Sequence, residues 1–355
     1  TGSLGTISNK SIQFIMESNL TIQANFVTNL FLGMVGTYNG LFAESDGVTA
    51  DTAGMMNNIV VGPKGTYSGK IKLGGHGYSI GGKFDQSGHG RDGVSRDEPG
   101  LSGFFVNLDL GWRSTPKRIT GIVANSNGAW ASPFVANLSS NTLGSSAFTM
   151  LLPPDPNTSP VASPGGDGYA TITNRDGKIS VVGKLADGES FAQTVPVAEG
   201  GDVPVYLDLY EHTGLLTGWI NLASRPTGTL TWIKKASTDL YPIGFSNRVA
   251  VIGSGYTNVT PSLSLSRGTL EILGDGEALT FNVSLSNNKI GVLSGSATNR
   301  LTGTIQPKTG LLQLKFGRTR GGPTMTPAAG ALLQNSNRAG GFFVGTNQAG
   351  AIRLH

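Results

Sequence analysis

Apolar and polar residues alternate through Tyr169-Ala170-Thr171-Ile172-Thr173 and again through Lys178-Ile179-Ser180-Val181. That is the period of a strand with one buried face. Asp176-Gly177 and Asp187-Gly188 stand between such runs, where a tight hairpin needs residues that tolerate positive φ. The stretch from Gly165 to Trp232 therefore predicts a meander of short antiparallel strands. Similar runs follow to the end of the chain, among them Gly330-Ala-Leu-Leu-Gln334 and Gly341-Phe-Phe-Val-Gly345. No segment sustains an apolar period of 3.6 residues, and only Thr324 to Gln334 suits a short helical turn.

The order of features in this meander recurs upstream. Gly69-Lys70-Ile71 precedes a glycine turn and Tyr78, as Gly183-Lys184-Leu185 precedes one and Phe191. Val106 to Leu110 matches Val205 to Leu209, Ile119 to Ile122 matches Leu216 to Trp219, and Gly128 to Trp130 matches Gly228 to Trp232. These matches predict an all-β fold of two consecutive antiparallel β-barrel or sandwich units, an internal duplication, in which Trp130 and Trp232 take equivalent core places. The first unit is expected over 35–152 and the second over 167–355. Residues 153–166 form a proline-rich connector, since proline has no amide to give to a ladder. Asp85 to Gly100 reads as a polar loop. Residues 1–28 predict a short strand segment, the end of a preceding β-repeat module or an assembly strand; the alternative is a hairpin of the first unit. The chain itself reads as a mature form or a piece of a longer protein.

Composition narrows the class. Glycine reaches 53 of 355 residues without a triplet period, so it punctuates strands and does not build collagen. There is no cysteine, which excludes disulfides, thiolate metal sites and a cysteine nucleophile. The formal charge of +4 is small for this length, and no Lys/Arg run exceeds Lys234-Lys235 or Arg318-Thr-Arg320. Nucleic acid is therefore not an expected partner. No apolar run is long enough for a membrane-spanning helix.

The motifs GTYNGLF (36–42), SGFF (102–105), GKLADGESFAQ (183–193), LTGWI (216–220), GTLTWIK (228–234), LYPIGF (240–245) and GALLQNSNRAGGFFVGTNQAGAIRL (330–354) resemble a β-rich C-terminal region. That region belongs to large secreted multi-domain proteins of Verrucomicrobia and related bacteria, where it follows immunoglobulin-like or other β-repeat modules. The spacing of Phe14, Met16, Asn19, Thr21, Ala24 and Phe26 is similar to the end of small tandem β-repeats of bacterial surface proteins. The resemblance implies an extracellular or cell-surface location and brings no activity and no catalytic residues.

Candidate sites are few. Asp85, Asp92, Asp97 and Glu98 share one glycine-rich stretch, and hard cations such as calcium take several oxygen ligands from a pliable segment. The spacing fits no EF-hand, and Arg91 and Arg96 compete for the same carboxylates, so a solvated loop is the competing reading. Trp112 and Tyr210 are candidates for stacking on a sugar ring. His76, His89, His212 and His355 show no HxH or HExxH spacing and read as surface residues; no GxSxG elbow is present. The expected function is a non-catalytic structural or adhesion module whose partners are neighbouring modules or copies of itself. The alternatives are a carbohydrate-binding module and a polysaccharide-acting enzyme.

Overall fold

Two-residue turns set the registers. In a computed structural model, Asp176 and Gly177 turn the chain with φ of 51° and 78°, and Arg175 pairs with Lys178 across them. Both central residues of such a hairpin need positive φ. Gly74-Gly75, Asp275-Gly276 and Asn287-Asn288 do the same, closing Leu73 on His76, Gly274 on Glu277 and Ser286 on Lys289. Asp187-Gly188 differs. It lies in a longer connection between Lys184 and Ser190, where the Asp187 carboxylate accepts the Glu189 amide at 3.1 Å.

The structure describes residues 28–140, 143–237, 240–294, 297–319 and 322–355. The strand segment expected over 1–28 lies outside these residues except for Thr28. Within Phe31–His355, one compact unit, three eight-stranded antiparallel meanders follow one another. Barrel one holds β1 (Gly36–Phe42), β2 (Gly54–Val61), β3 (Thr66–Leu73), β4 (His76–Lys83), β5 (His89–Val94), β6 (Phe104–Leu110), β7 (Arg118–Asn125) and β8 (Ala131–Leu138). Barrel two holds β9 (Ser146–Leu152), β10 (Gly168–Arg175), β11 (Lys178–Lys184), β12 (Ser190–Pro196), β13 (Asp202–Leu209), β14 (Gly214–Asn221), β15 (Thr227–Lys234) and β16 (Phe245–Gly255). Barrel three holds β17 (Arg267–Gly274), β18 (Glu277–Ser286), β19 (Lys289–Val292), β20 (Leu301–Gln306), β21 (Leu311–Gly317), β22 (Met325–Leu333), β23 (Arg338–Val344) and β24 (Ala349–Leu354).

Barrel three closes through a β17–β24 ladder, whereas the first two keep one seam each, between β4 and β5 and between β12 and β13. A side chain spans each seam. Asp92 on β5 accepts the Gly81 amide of β4 at 2.6 Å. Gln193 on β12 accepts the Tyr206 amide and donates to the Pro204 carbonyl of β13, both at 2.9 Å. An eight-stranded barrel is just wide enough for its own side chains to fill, and Tyr38, Phe42, Phe84 and Phe104 fill the first as Phe281, Phe316 and Phe343 fill the third.

Three units, not two, replace the expected pair, for a physical reason that starts at β5. Its sequence, HGRDGV, alternates between exposed and half-exposed positions beside the seam, so it carries no apolar period, and Asp85 to Gly100 reads as a polar loop for that reason. Leaving it out shifts the motif matches by one strand. Gly69-Lys70 and Gly183-Lys184 do share the third place in their barrels, but Val106 to Leu110 is a sixth strand and Val205 to Leu209 a fifth. Trp130 accordingly precedes the eighth strand of barrel one at the margin of its core, while Trp232 is buried on the seventh strand of barrel two. The matches as read do not trace one duplicated unit. The prolines of 153–166 occupy the β9–β10 loop, inside barrel two, which suits a residue without an amide as well as a connector does. Thr324 to Gln334 is mostly strand β22, with a 3-10 turn only at Gln334–Ser336. A Cβ on Gly330 would stand 2.0 Å from the Gly340 carbonyl oxygen, so its glycine serves close strand packing.

The barrels share apolar surface. Successive residues of a strand face opposite sides, and several strands bury both. Met56 points into barrel one while Met55 joins the core of barrel two. Leu332 and Phe343 fill barrel three while Ala331, Leu333 and Phe342 join barrel two. This two-sided burial explains the unbroken apolar runs of Gly330 to Leu333 and Gly341 to Phe343, which resemble strands covered on both faces.

Candidate functional site

A cleft of about 370 Å³ lies over the seam of barrel two, where barrel one meets it. The Gly74-Gly75 turn carries His76 to its rim, and the β13–β14 turn brings His212 against Gly75. Tyr210, Glu211 and His212 all take positive φ in that turn, a strained conformation for residues with a Cβ. The two imidazole rings lie 5.7 Å apart, centroid to centroid. His212 packs on Gly75, where a Cβ would stand 1.9 Å from Nδ1.

Each ring has its own carboxylate. His76 Nδ1 lies 3.0 Å from Glu98 Oε1, and His212 Nδ1 is hydrogen-bonded to Asp208. The Tyr78 hydroxyl also donates to Glu98, at 3.1 Å. The Glu98 backbone amide, followed by Tyr78 and His76, holds the Glu98 carboxyl below its ordinary range, while burial and then Glu98 push Tyr78 up to about 12. The Tyr206 hydroxyl accepts the Gly74 amide at 3.2 Å across the junction, and burial raises this phenol well above its ordinary value. Lys72, Gln193, Thr194, Tyr206 and Asp208 line the cleft together with His76. The opening thus presents one imidazole, one carboxylate, a lysine and neutral hydrogen-bonding groups, His76 and Asp208 being paired behind it to Glu98 and His212 respectively, which suits a polar, hydroxyl-rich or charged ligand. The histidines were legible only as isolated surface residues, because 136 positions of chain separate them; the single local signal was Asp208 four residues before His212.

The four carboxylates read as a calcium loop are not gathered. Asp85 accepts the His89 and Ser87 amides at 2.9 and 2.8 Å, and the His89 amide foremost depresses its carboxyl. Asp92 spans the seam, Glu98 serves His76, and among the described residues no three His, Cys, Asp or Glu side chains converge on one point suited to a metal. The stretch folds as a strand between two turns, so alternation and local amide hydrogen bonds separate the oxygens. Trp112 and Tyr210 also part company. Trp112 packs on Phe31 at 5.2 Å in barrel one and donates to the Ser87 carbonyl at 3.2 Å. Tyr210 belongs to barrel two, where its hydroxyl donates to Asp187 at 2.6 Å and accepts from Trp232 Nε1 at 2.9 Å, with Lys234 Nζ 5.2 Å from its ring. A ring held on both its hydroxyl and its face is occupied by the protein itself. Burial lifts the Asp187 carboxyl, and burial followed by Asp187 lifts the Tyr210 phenol.

No family model and no curated protein sequence matches the chain. Among solved structures, the chain is similar to intact Ap-TbpB with its N and C lobes, at 10% identity and a TM-score of 0.22, over 90% of this chain and 76% of that one. It is similar also to transferrin binding protein B of Haemophilus parasuis, at 9% identity and a TM-score of 0.24, over 90% and 75%. The isotype 1 protein of Neisseria meningitidis gives 10% identity and a TM-score of 0.22, over 90% and 76%. No helix among the described residues is long and apolar enough to cross a membrane.

Proposed function

We propose that the chain is a non-catalytic extracellular module of a larger cell-surface or matrix protein, structural or adhesive in role. The observation that carries this reading is the shared core. Met55 from barrel one and Ala331, Leu333 and Phe342 from barrel three are as buried as the residues of barrel two that they meet. Three barrels joined in this way resist separation under load, and their outer faces are left for partners. The resemblance of seven motifs to a region of large secreted proteins supports the location. The imidazole pairs at the barrel-one junction act in this reading as polar contacts between barrels.

Two measurements test it. Differential scanning calorimetry on Phe31–His355 is expected to give one transition with equal calorimetric and van't Hoff enthalpies; three separate transitions would remove the single-body argument. Protease shaving of intact producing cells is expected to release peptides of this chain, and full protection would contradict the surface location. Release of reducing ends from a polysaccharide panel, lost in His76→Gln or His212→Gln variants, would instead establish an enzyme.

A further inference from the structure

A second cleft, of about 720 Å³, runs between barrel two and the wall of barrel three. Its floor is where the two barrels are pinned: Tyr169 stacks on Phe342 at 5.9 Å, and the β11–β12 connection rests on β23, with a Gly188 Cβ position 3.4 Å from Val344. Lys184 enters from barrel two, and Lys289 and Lys315 from barrel three. The ladder registers place Lys289 beside Thr304, Thr304 beside Gln313, and Lys315 beside Thr302. These residues are all exposed, and on each strand they alternate with inward Ile290, Ile305 and Leu314, so they share one outer face. Lys289 and Lys315 lie two strands apart, about 10 Å across the sheet.

The lining contains three lysines and neither aspartate nor glutamate. None of the three is ion-paired among the described residues, although the chain as a whole has nearly as many acidic residues as basic ones. An unneutralised cationic cleft attracts an anion. We infer that it binds an anionic polysaccharide, the ammonium groups meeting successive acidic groups and Thr302, Thr304 and Gln313 meeting hydroxyls. A peptide would add as a strand through its main chain, but β20, β21, β22 and β23 pair with one another along the cleft, so their main-chain groups are largely taken. Single-stranded nucleic acid needs exposed aromatic faces to stack on, and both phenylalanines of this cleft are buried. This goes beyond the module reading above and depends on it only for where the polymer is met, so binding and surface location fail separately.

The test uses the full chain with polygalacturonate as the carboxylated probe and dextran sulfate as the sulfated one, with neutral dextran as control, read by affinity electrophoresis and titration calorimetry. At 50 mM salt, one or both anionic polymers are expected to bind, with at least a tenfold weakening at 500 mM. Binding of polygalacturonate alone assigns carboxylates; binding of dextran sulfate alone assigns sulfates. Lys184→Glu, Lys289→Glu and Lys315→Glu together are expected to weaken binding at least tenfold. The same reversal at Lys64 and Lys83, exposed lysines of barrel one, is expected to change it less than threefold, with circular dichroism confirming both folds. Absence of binding to either polymer, equal loss in the two variants, or stronger retention of single-stranded DNA or polyglutamate would each overturn the inference.

Discussion

The side-chain oxygen of Gln193 accepts the backbone amide of Tyr206 at 2.9 Å, across the one gap in the ladder of barrel two. Its amide nitrogen donates to the Pro204 carbonyl at the same distance. One primary amide thus replaces the pair of hydrogen bonds that two adjacent strands would otherwise exchange. Gln193→Leu keeps the volume but leaves a buried donor and acceptor without partners. A loss of about 2–4 kcal/mol is expected in urea unfolding, with faster hydrogen exchange at the Tyr206 amide. Asp92→Ala at the seam of barrel one, which is more exposed, is expected to cost about 1 kcal/mol or less, and Asp92→Asn less again. Equal costs at both seams would contradict the argument.

Met55 sits on β2 of barrel one yet lies within the core of barrel two, fully buried. Met55→Ala is expected to destabilise the chain by about 2–5 kcal/mol through the cavity left behind. The informative readout is where amides become unprotected. Increased exchange on β12 and β13, as well as on β2, is the expected pattern; a change confined to β2 would mean that the barrels do not share a core.

Tyr210 holds Asp187 and Trp232 together through one hydroxyl. Tyr210→Phe therefore removes a donor from a part-buried carboxylate and an acceptor from an indole. A loss of about 1–3 kcal/mol is expected by thermal unfolding, with no change in affinity for neutral sugars. A sugar-binding defect at unchanged stability would restore Tyr210 to the role of a ligand platform.

Asp167, beside barrel three in the β9–β10 loop, is 8% exposed, and its amide donates to the Gly341 carbonyl at 3.1 Å. Burial lifts its carboxyl from 3.8 to about 6, against the pull of Arg353. A carboxyl raised on folding favours its protonated form, so its contribution to stability is present below pH 3.8 and lost as pH rises through about 6. Asp167→Asn is expected to match the parent near pH 4 and to exceed it at pH 8 by on the order of 2–3 kcal/mol. A variant equally destabilised at both pH values would show that the carboxylate is needed for a contact instead.

Strands and turns were largely legible, because alternation and Asp-Gly pairs act over a few residues. Arg175 and Lys178 close on a turn that Asp176-Gly177 announces by itself. The all-β class followed from the same signals. The count of barrels did not, because β5 has no apolar face and the β9–β10 prolines punctuate a loop as well as a boundary. The junction cleft was hidden for another reason. His76 and His212 acquire their relation only through two turns and a seam distant in sequence. Glu98 was singled out, but for a cation; Tyr78 and His76, which it serves, come from the neighbouring hairpin. Lys184, Lys289 and Lys315 were invisible as a group because each stands alone on its strand.

Met55 has a consequence for biosynthesis. The chain leaves the ribosome amino end first, and domains fold broadly in that order. Barrel two cannot finish its wall until the methionine of β2 is in place behind Gln193, and barrel one has by then been made. Barrel two in turn supplies the surface that covers Ala331, Leu333 and Phe342 as β22 and β23 emerge. The cover is mutual, so each barrel holds one apolar wall open only until its neighbour is made; a gene rearranged to part neighbouring barrels would prolong that exposure during translation, and aggregation of the nascent chain is the expected price of that order.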